Sequence, residues 1–180
     1  MAEGRQFLQK YAMHFGTFMG VYWVLKFILF PLGLLVPFLF FLYLGLTLGI
    51  PFMGYYYTKM YRDKACGGYI DFGHAWLFTM AMFMFSSILT SAAHFIYFRF
   101  IDNGHILHSY RSLIDNAMQL NVEGTEGYFT QIQESLDLFA SLTPIDITLQ
   151  LLSTNVFLAA FLSLFISLFI QKKDKTSVKI

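Results

Sequence analysis

The ionisable side chains that could do chemistry in this sequence lie in or beside long apolar stretches: Lys26, His94, Arg99 and Asp102. Ionisable groups are costly inside a membrane and are often functional there. A histidine can bind a ligand or carry a proton near neutral pH, and Lys26 or Arg99 can pair with Asp102. We therefore treat these four residues as a candidate functional polar cluster. A simpler interpretation is favoured, in which Lys26 anchors at the lipid headgroups and His94 makes an interhelical hydrogen bond.

Metal and thiol chemistry have little support in the sequence. His105 and His108 are three residues apart, which can suit a metal ion, but a third ligand at matching spacing is missing. No metal site is therefore predicted. The single cysteine, Cys66, excludes an internal disulfide. A cysteine beside a membrane span can be acylated, although a plain free thiol is the favoured interpretation.

Catalytic signatures are missing from the sequence. It contains no phosphate-binding glycine-rich loop, no H-E-x-x-H and no G-x-S-x-G. We therefore predict no catalytic residue and no cofactor, and we expect that the protein is not an enzyme. The formal net charge of +1 provides no bulk basic field, so a nucleic-acid partner is not expected.

The composition is typical of a protein that lies in lipid. Hydrophobic residues make up 57% of the 180 residues and charged residues 13%, whereas a soluble domain is about 25% charged. Four stretches have the roughly 20 apolar residues that a helix needs to cross a bilayer. They cover about residues 11–30, 36–57, 74–98 and 147–170. The predicted fold class is therefore all-α, a four-helix transmembrane bundle forming a single domain over residues 1–180.

The helix boundaries are marked by proline, glycine and capping residues. Pro31, Gly33 and Pro37 interrupt the first apolar run, and we interpret them as a tight hairpin between two spans. The alternative, one long kinked helix, would far exceed the thickness of the membrane. Asp71 and Thr143 are expected to cap the starts of the third and fourth spans.

The charges are segregated along the chain. Nine of the twelve basic residues lie before the first span, between the second and third spans, or after the fourth. They are Arg5, Lys10, Lys59, Arg62, Lys64, Lys172, Lys173, Lys175 and Lys179. The positive-inside rule places these residues and both termini in the cytoplasm. The segment from Phe100 to Asp146 has seven acidic residues and one basic residue, Arg111, so we expect it outside.

The outer segment contains two amphipathic patterns. Apolar residues at helical spacing predict helices over about residues 105–120 and 127–142, with Gly124 and Gly127 at the turn. Their apolar faces must be buried over the mouth of the bundle, on the membrane surface or against a partner. We favour the bundle mouth, because acidic polar faces are not attracted to anionic lipid.

Small residues in the spans are expected to pack helices together. The predicted packing residues are Gly16, Gly20, Gly45, Gly49, Ser87 and Ser91. The glycines form two pairs at four-residue spacing, which favours packing within the hairpin over a surface for a second protein. The two serines share a face with His94, and such a polar stripe normally faces the protein interior.

Two short stretches carry a family resemblance. Gly68-Tyr-Ile-Asp-Phe-Gly-His-Ala-Trp, continued through the third span to Tyr97-Phe-Arg-Phe-Ile-Asp102, resembles the domain-of-unknown-function family numbered 4199. The resemblance covers nearly the whole chain. It implies a four-helix protein of the bacterial inner membrane, mainly from Bacteroidota, and transfers no activity. It also implies that relatives are encoded near a membrane glycosyltransferase of the polyprenyl-phosphate type.

Two functional hypotheses follow from these patterns. The first is a non-enzymatic accessory subunit, which would bind a partner membrane protein such as a lipid-linked sugar transferase. The alternative is a small oligomeric transporter or lipid-handling protein, indicated by the polar stripe of the third span and the charges at its outer end. The expected partners are the lipid bilayer and either another membrane protein or a second copy of the chain.

Overall fold

The computed structural model describes residues 2–119 and 126–172, and these residues form six helices. The helices are α1 (Ala2–Leu35), α2 (Pro37–Ala65), α3 (Phe72–Phe100), α4 (His105–Met118), α5 (Glu126–Ser141) and α6 (Pro144–Ile170). Four of them, α1, α2, α3 and α6, are long and apolar enough to cross a membrane. The predicted all-α class with four such helices is confirmed. The predicted turn residue Gly124, acidic residue Glu123 and tail residues Lys173, Lys175 and Lys179 lie outside the described residues.

The connection between α1 and α2 is shorter than predicted. Pro31 and Gly33 lie inside α1, and only Val36 separates the two helices. Val36 is extended, with φ −124° and ψ 103°, because the following Pro37 disfavours the helical conformation of the residue before it. Gly33 is needed for close approach instead: a Cβ there would lie 2.8 Å from the backbone nitrogen of Phe40.

The first two helices form an antiparallel hairpin, as predicted. Phe30 of α1 packs against Tyr43 of α2 near the turn, and Phe15 stacks on Tyr57 near the other end. The hydroxyl of Tyr22 donates a hydrogen bond of 2.6 Å to the carbonyl of Leu46. These contacts hold the two helices along most of their length.

Helix α3 is the most buried of the four long helices and packs mainly against α1 and α6. Its start is capped as predicted, because the Asp71 carboxylate accepts a hydrogen bond of 3.0 Å from the amide of His74. Helix α6 begins with a capping box between Thr143 and Asp146, in which each side chain accepts from the other's backbone amide.

The four glycines predicted to pack helices together have different surroundings. Gly16 and Gly20 face α3, where a Cβ at either position would lie 2.8 Å from an α3 atom. The hydroxyl of Ser86 donates to the carbonyl of Gly16 at 3.0 Å, which secures this contact. Gly49 instead faces Tyr22, and Gly45 faces open space. Gly16 and Gly20 therefore allow a close approach of α1 to α3, and Gly49 makes room for Tyr22 within the α1–α2 hairpin.

The ends of α2 and α6 meet the start of α3, at what we call the basic end. Tyr61 of α2 is hydrogen-bonded to His74 of α3 at 2.9 Å. Arg62 donates to the carbonyl of Ile170, the last residue of α6, at 3.1 Å. Ile70 and Lys172 form an antiparallel bridge with hydrogen bonds of 3.0 and 2.9 Å. The predicted inner-side residues Lys59, Arg62, Lys64 and Lys172 thus lie at one end of the helices.

Helices α4 and α5 lie at the opposite end, which we call the capped end. The Asp102 carboxylate starts α4 by accepting hydrogen bonds from the amides of Gly104 and Ile106, both at 3.1 Å. An exposed ion pair of 2.7 Å joins Arg111 of α4 to Asp137 of α5. Side chains of α4 and α5 line a common space with those of the long helices at this end.

Candidate functional site

A cavity of about 520 Å³ lies beneath α4 and α5 at the capped end. Its walls include side chains from all six helices. Most of these side chains are aromatic or aliphatic, including Phe27, Phe30, Phe98, Leu107, Leu136 and Phe139. Cavities of about 300–1,000 Å³ with mostly apolar walls and few polar groups are typical of small-molecule sites.

The amphipathic pattern of α4 and α5 explains why the cavity is covered. Ile106 and Tyr110 of α4 are one turn apart, and Ile132, Leu136 and Phe139 of α5 follow the spacing of one helix face. These residues line the cavity, while the ion pair that joins the two helices lies on their exposed side. Phe139 also meets the ring of Phe98 on α3, with 6.5 Å between centroids.

Lys26 of α1 and His94 of α3 both line the cavity. The ring of His94 meets the ring of Phe27 edge-on, with 4.3 Å between centroids. The ammonium of Lys26 lies 5.2 Å from the centre of the Tyr43 ring, a cation–π geometry. Among the described residues, Lys26 forms no ion pair.

Two residues of the cavity wall have a buried ring nitrogen without a hydrogen-bond partner in the described part of the chain: Nε1 of Trp23 and Nδ1 of His94. Trp23 is 7% exposed and His94 is 6% exposed. A buried polar group without a partner costs about 1–3 kcal/mol. Both nitrogens are shielded from the cavity itself, so a bound molecule would reach them only after a small rotation of the ring.

The other polar side chains of the cavity differ in their hydrogen bonds and their charge. The hydroxyl of Thr90 already donates to the carbonyl of Ser86 at 2.8 Å. Burial raises the pKa of the Tyr110 hydroxyl, and neighbouring Tyr43 raises it further, so Tyr110 stays neutral. Asn155 contributes an amide from α6. Lys26 is the one charged group among the described residues of this wall.

The four residues of the candidate polar cluster do not all lie together in the structure. Lys26 and His94 meet at the cavity, whereas Asp102 caps α4 and Arg99 lies over the ring of Phe100 at 5.8 Å. The ion pair of Asp102 with Lys26 or Arg99, which was the less favoured alternative, is not formed among the described residues. Sequence reasoning missed Trp23, although it lies three residues before Lys26 and so shares its helix face.

The remaining candidates lie elsewhere. The hydroxyl of Ser87 donates to the carbonyl of Phe83 at 2.9 Å, while that of Ser91 is buried and has no partner among the described residues. The described His, Cys, Asp and Glu side chains form no group of three that could hold a metal, and this includes His105 and His108. Cys66 is a half-buried free thiol at the basic end.

The fold and the cavity define a class: an all-α protein with four helices that can cross a membrane and a covered cavity at one end. Residues 14–172 match the family described as "Protein of unknown function (DUF4199)", and the chain belongs to this family. The resemblance noted in the sequence is therefore confirmed. Comparisons with curated proteins and with solved structures give no match.

Proposed function

We propose that this membrane protein binds an amphipathic small molecule in the cavity beneath α4 and α5, as a lipid-handling protein and not as an enzyme. The observation that carries this proposal is the cavity of about 520 Å³, whose walls are mostly apolar and hold a few buried polar groups. An apolar chain would contact the aromatic side chains, and its polar end would lie near Lys26 and His94. Such a combination of walls and polar groups is typical of sites that bury most of a ligand.

We also propose that the four long helices cross the membrane as a bundle in one orientation. The basic end carries Lys59, Arg62, Lys64 and Lys172, so we place it in the cytoplasm together with both termini. The capped end then lies on the external side of the membrane. The family resemblance implies that this is a bacterial inner membrane. A ligand would reach the cavity from the outer leaflet or from the external aqueous phase.

Saturable ligand binding by the purified protein in lipid nanodiscs tests this function. The probes are radiolabelled palmitate and hexadecanol, which have the same chain length and different polar ends. Leu151 of α6 lines the cavity, and the larger side chain of Leu151→Trp would occupy part of it. This variant should weaken binding of at least one probe by roughly tenfold or more. The control is Leu158→Trp, since Leu158 lies on the same helix and is 57% exposed. Binding of both probes that does not saturate, or that Leu151→Trp leaves unchanged, would contradict the proposal.

A second candidate function, the accessory subunit, is favoured by the exposed face of α2. Gly45 faces open space in the middle of this face, between the exposed side chains of Phe41, Leu48 and Phe52. A small residue within an apolar face lets a second transmembrane helix approach closely. We propose the helix of a partner membrane protein as its occupant. A glycosyltransferase of the polyprenyl-phosphate type is the candidate that the resemblance implies.

Purification from native membranes in mild detergent tests the accessory role. The wild-type chain should elute with one partner in constant ratio, and Gly45→Phe should lose it while keeping its own fold. Gly45→Ala is the control, because one methyl group changes the face little. A wild-type chain that elutes alone, or a partner that Gly45→Phe still retains, would count against this role.

A further inference from the structure

Lys26 and Trp23, whose side chains only donate hydrogen bonds, line the cavity together with His94, whose ring nitrogens can donate or accept. Lys26 has three donors and no acceptor, and the indole nitrogen of Trp23 is a donor only. These two residues share a face of α1, and Phe27, the next residue along, contacts His94 of α3. All three polar side chains line the same cavity.

These groups lack acceptors within the described part of the chain. Nε1 of Trp23 and Nδ1 of His94 are buried and unpartnered, and the side chains that line the cavity include no aspartate or glutamate. Within the part of the chain that the structure describes, the Lys26 ammonium lies over the face of the Tyr43 ring and forms no ion pair. A half-buried ammonium group and buried donors are stabilised best by an anionic acceptor, because charge-assisted hydrogen bonds are the stronger ones.

We propose that the ligand has one apolar chain that ends in an anionic head group, a carboxylate or a phosphate, held by Lys26, Trp23 and His94. This inference rests on the proposed function of the cavity. Lys26 supplies the opposite charge, and after a small rotation of their rings the indole and the protonated nitrogen of the imidazole donate hydrogen bonds. The apolar chain lies against Phe30, Leu136 and Phe139, which line the rest of the cavity.

The cavity has room for one apolar chain. A volume of about 520 Å³ lies within the range of about 300–1,000 Å³ that suits one drug-sized molecule. A phospholipid with two acyl chains is considerably larger than such a molecule. Free long-chain acids and long-chain alkyl phosphates share the required chemistry, and the experiment below separates them.

The test compares the dissociation constants of palmitate, hexadecyl phosphate and hexadecanol for the full chain in nanodiscs of neutral lipid. The wild-type chain should bind at least one anion roughly tenfold or more tightly than the alcohol. Tighter binding of palmitate identifies a carboxylate ligand, and tighter binding of hexadecyl phosphate identifies a phosphate ligand. Equal binding of the anions and the alcohol would overturn the anionic head group and leave the cavity function standing. Absence of saturable binding of all three probes would overturn both.

Substitutions at Lys26 test whether the preference for an anionic head group arises in this cavity. Lys26→Met keeps a long apolar side chain and should weaken binding of the anion much more than binding of the alcohol, so that the two bind with about equal affinity. Lys26→Arg keeps the positive charge and should retain the preference for the anion over the alcohol. Arg99→Met is the control, because Arg99 lies over Phe100 and does not line the cavity. An anion preference that survives Lys26→Met, or that Arg99→Met abolishes equally, would overturn the proposed role of Lys26.

Discussion

Phe27 of α1 meets His94 of α3 edge-on, with 4.3 Å between the ring centroids. This contact brings Lys26, one residue earlier in α1, to the same cavity as His94. It depends on the close approach of α1 to α3, which Gly16 and Gly20 allow nearer the basic end. The geometry of the cavity wall and the packing of two helices are therefore linked.

Gly16→Ala is expected to destabilise the protein. The added Cβ would lie 2.8 Å from the carbonyl oxygen of Met82, a backbone atom that cannot move alone. Forcing a methyl group into such a contact costs about 1–3 kcal/mol. Gly45→Ala is the matched control and should raise the free energy of unfolding by about 0.5–1 kcal/mol, because it meets open space in a helix. Reversible unfolding in mixed micelles measures both values, and equal effects of the two changes would contradict the α1–α3 contact.

Asp102 is expected to act on α4 and not on the ligand. Asp102→Ala removes the acceptor of the Gly104 and Ile106 amides and should destabilise the start of α4 by about 0.5–2 kcal/mol. Hydrogen exchange of α4 amides should quicken in this variant. Asp102→Asn keeps a carbonyl acceptor and should show a smaller effect. Unchanged exchange in Asp102→Ala would exclude the capping role.

The Cys66 thiol is expected to react slowly with alkylating reagents at neutral pH. Burial raises the pKa of Cys66, a hydrogen bond from Tyr61 lowers it, and the Asp71 carboxylate raises it. Because only the thiolate reacts, the rate should reach half of its alkaline maximum at a higher pH than for an ordinary thiol. Asp71→Asn removes the negative charge, so its pH profile should shift downwards.

Asp63→Asn is the control for this thiol. Asp63 is paired with Arg62 at 2.8 Å and is not among the groups that shift the Cys66 pKa. Its alkylation profile should match that of the wild type. A profile that is the same in Asp71→Asn and the wild type would show that the Asp71 charge does not reach the thiol.

The proposed orientation predicts which cysteines a membrane-impermeant maleimide labels in intact cells. Glu134 is exposed on α5 at the capped end, so Glu134→Cys in a Cys66→Ser background should be labelled. Lys64 is exposed at the basic end, so Lys64→Cys in the same background should be labelled only after permeabilisation. The opposite pattern would contradict the orientation.

The parts of the fold that depend on local sequence could be predicted. Apolar length predicted the four long helices, and Asp71 and Thr143 cap their helices because capping depends on a few adjacent residues. Pro31 was wrongly assigned to the break between the first two spans. A membrane helix tolerates an internal proline, and the break falls at Val36, before Pro37.

The cavity could be predicted only in part. Lys26 and His94 were recognised because ionisable residues are rare in apolar stretches. Sequence did not reveal that they share a cavity while Arg99 does not, since this depends on how α1 and α3 rotate against each other. Trp23 was missed because its indole nitrogen lacks a partner only after the helices pack.

The measurement that tests the cavity most directly is photolabelling with a diazirine analogue of palmitate, followed by mass spectrometry of the labelled peptides. We expect adducts on cavity residues such as Phe98, Leu136 and Phe139, and we expect excess unlabelled palmitate to abolish them. Labelling of lipid-facing side chains such as Phe157 and Phe165 should persist under competition, since it reports only solvation by lipid. Adducts confined to those lipid-facing residues would contradict a ligand site beneath α4 and α5.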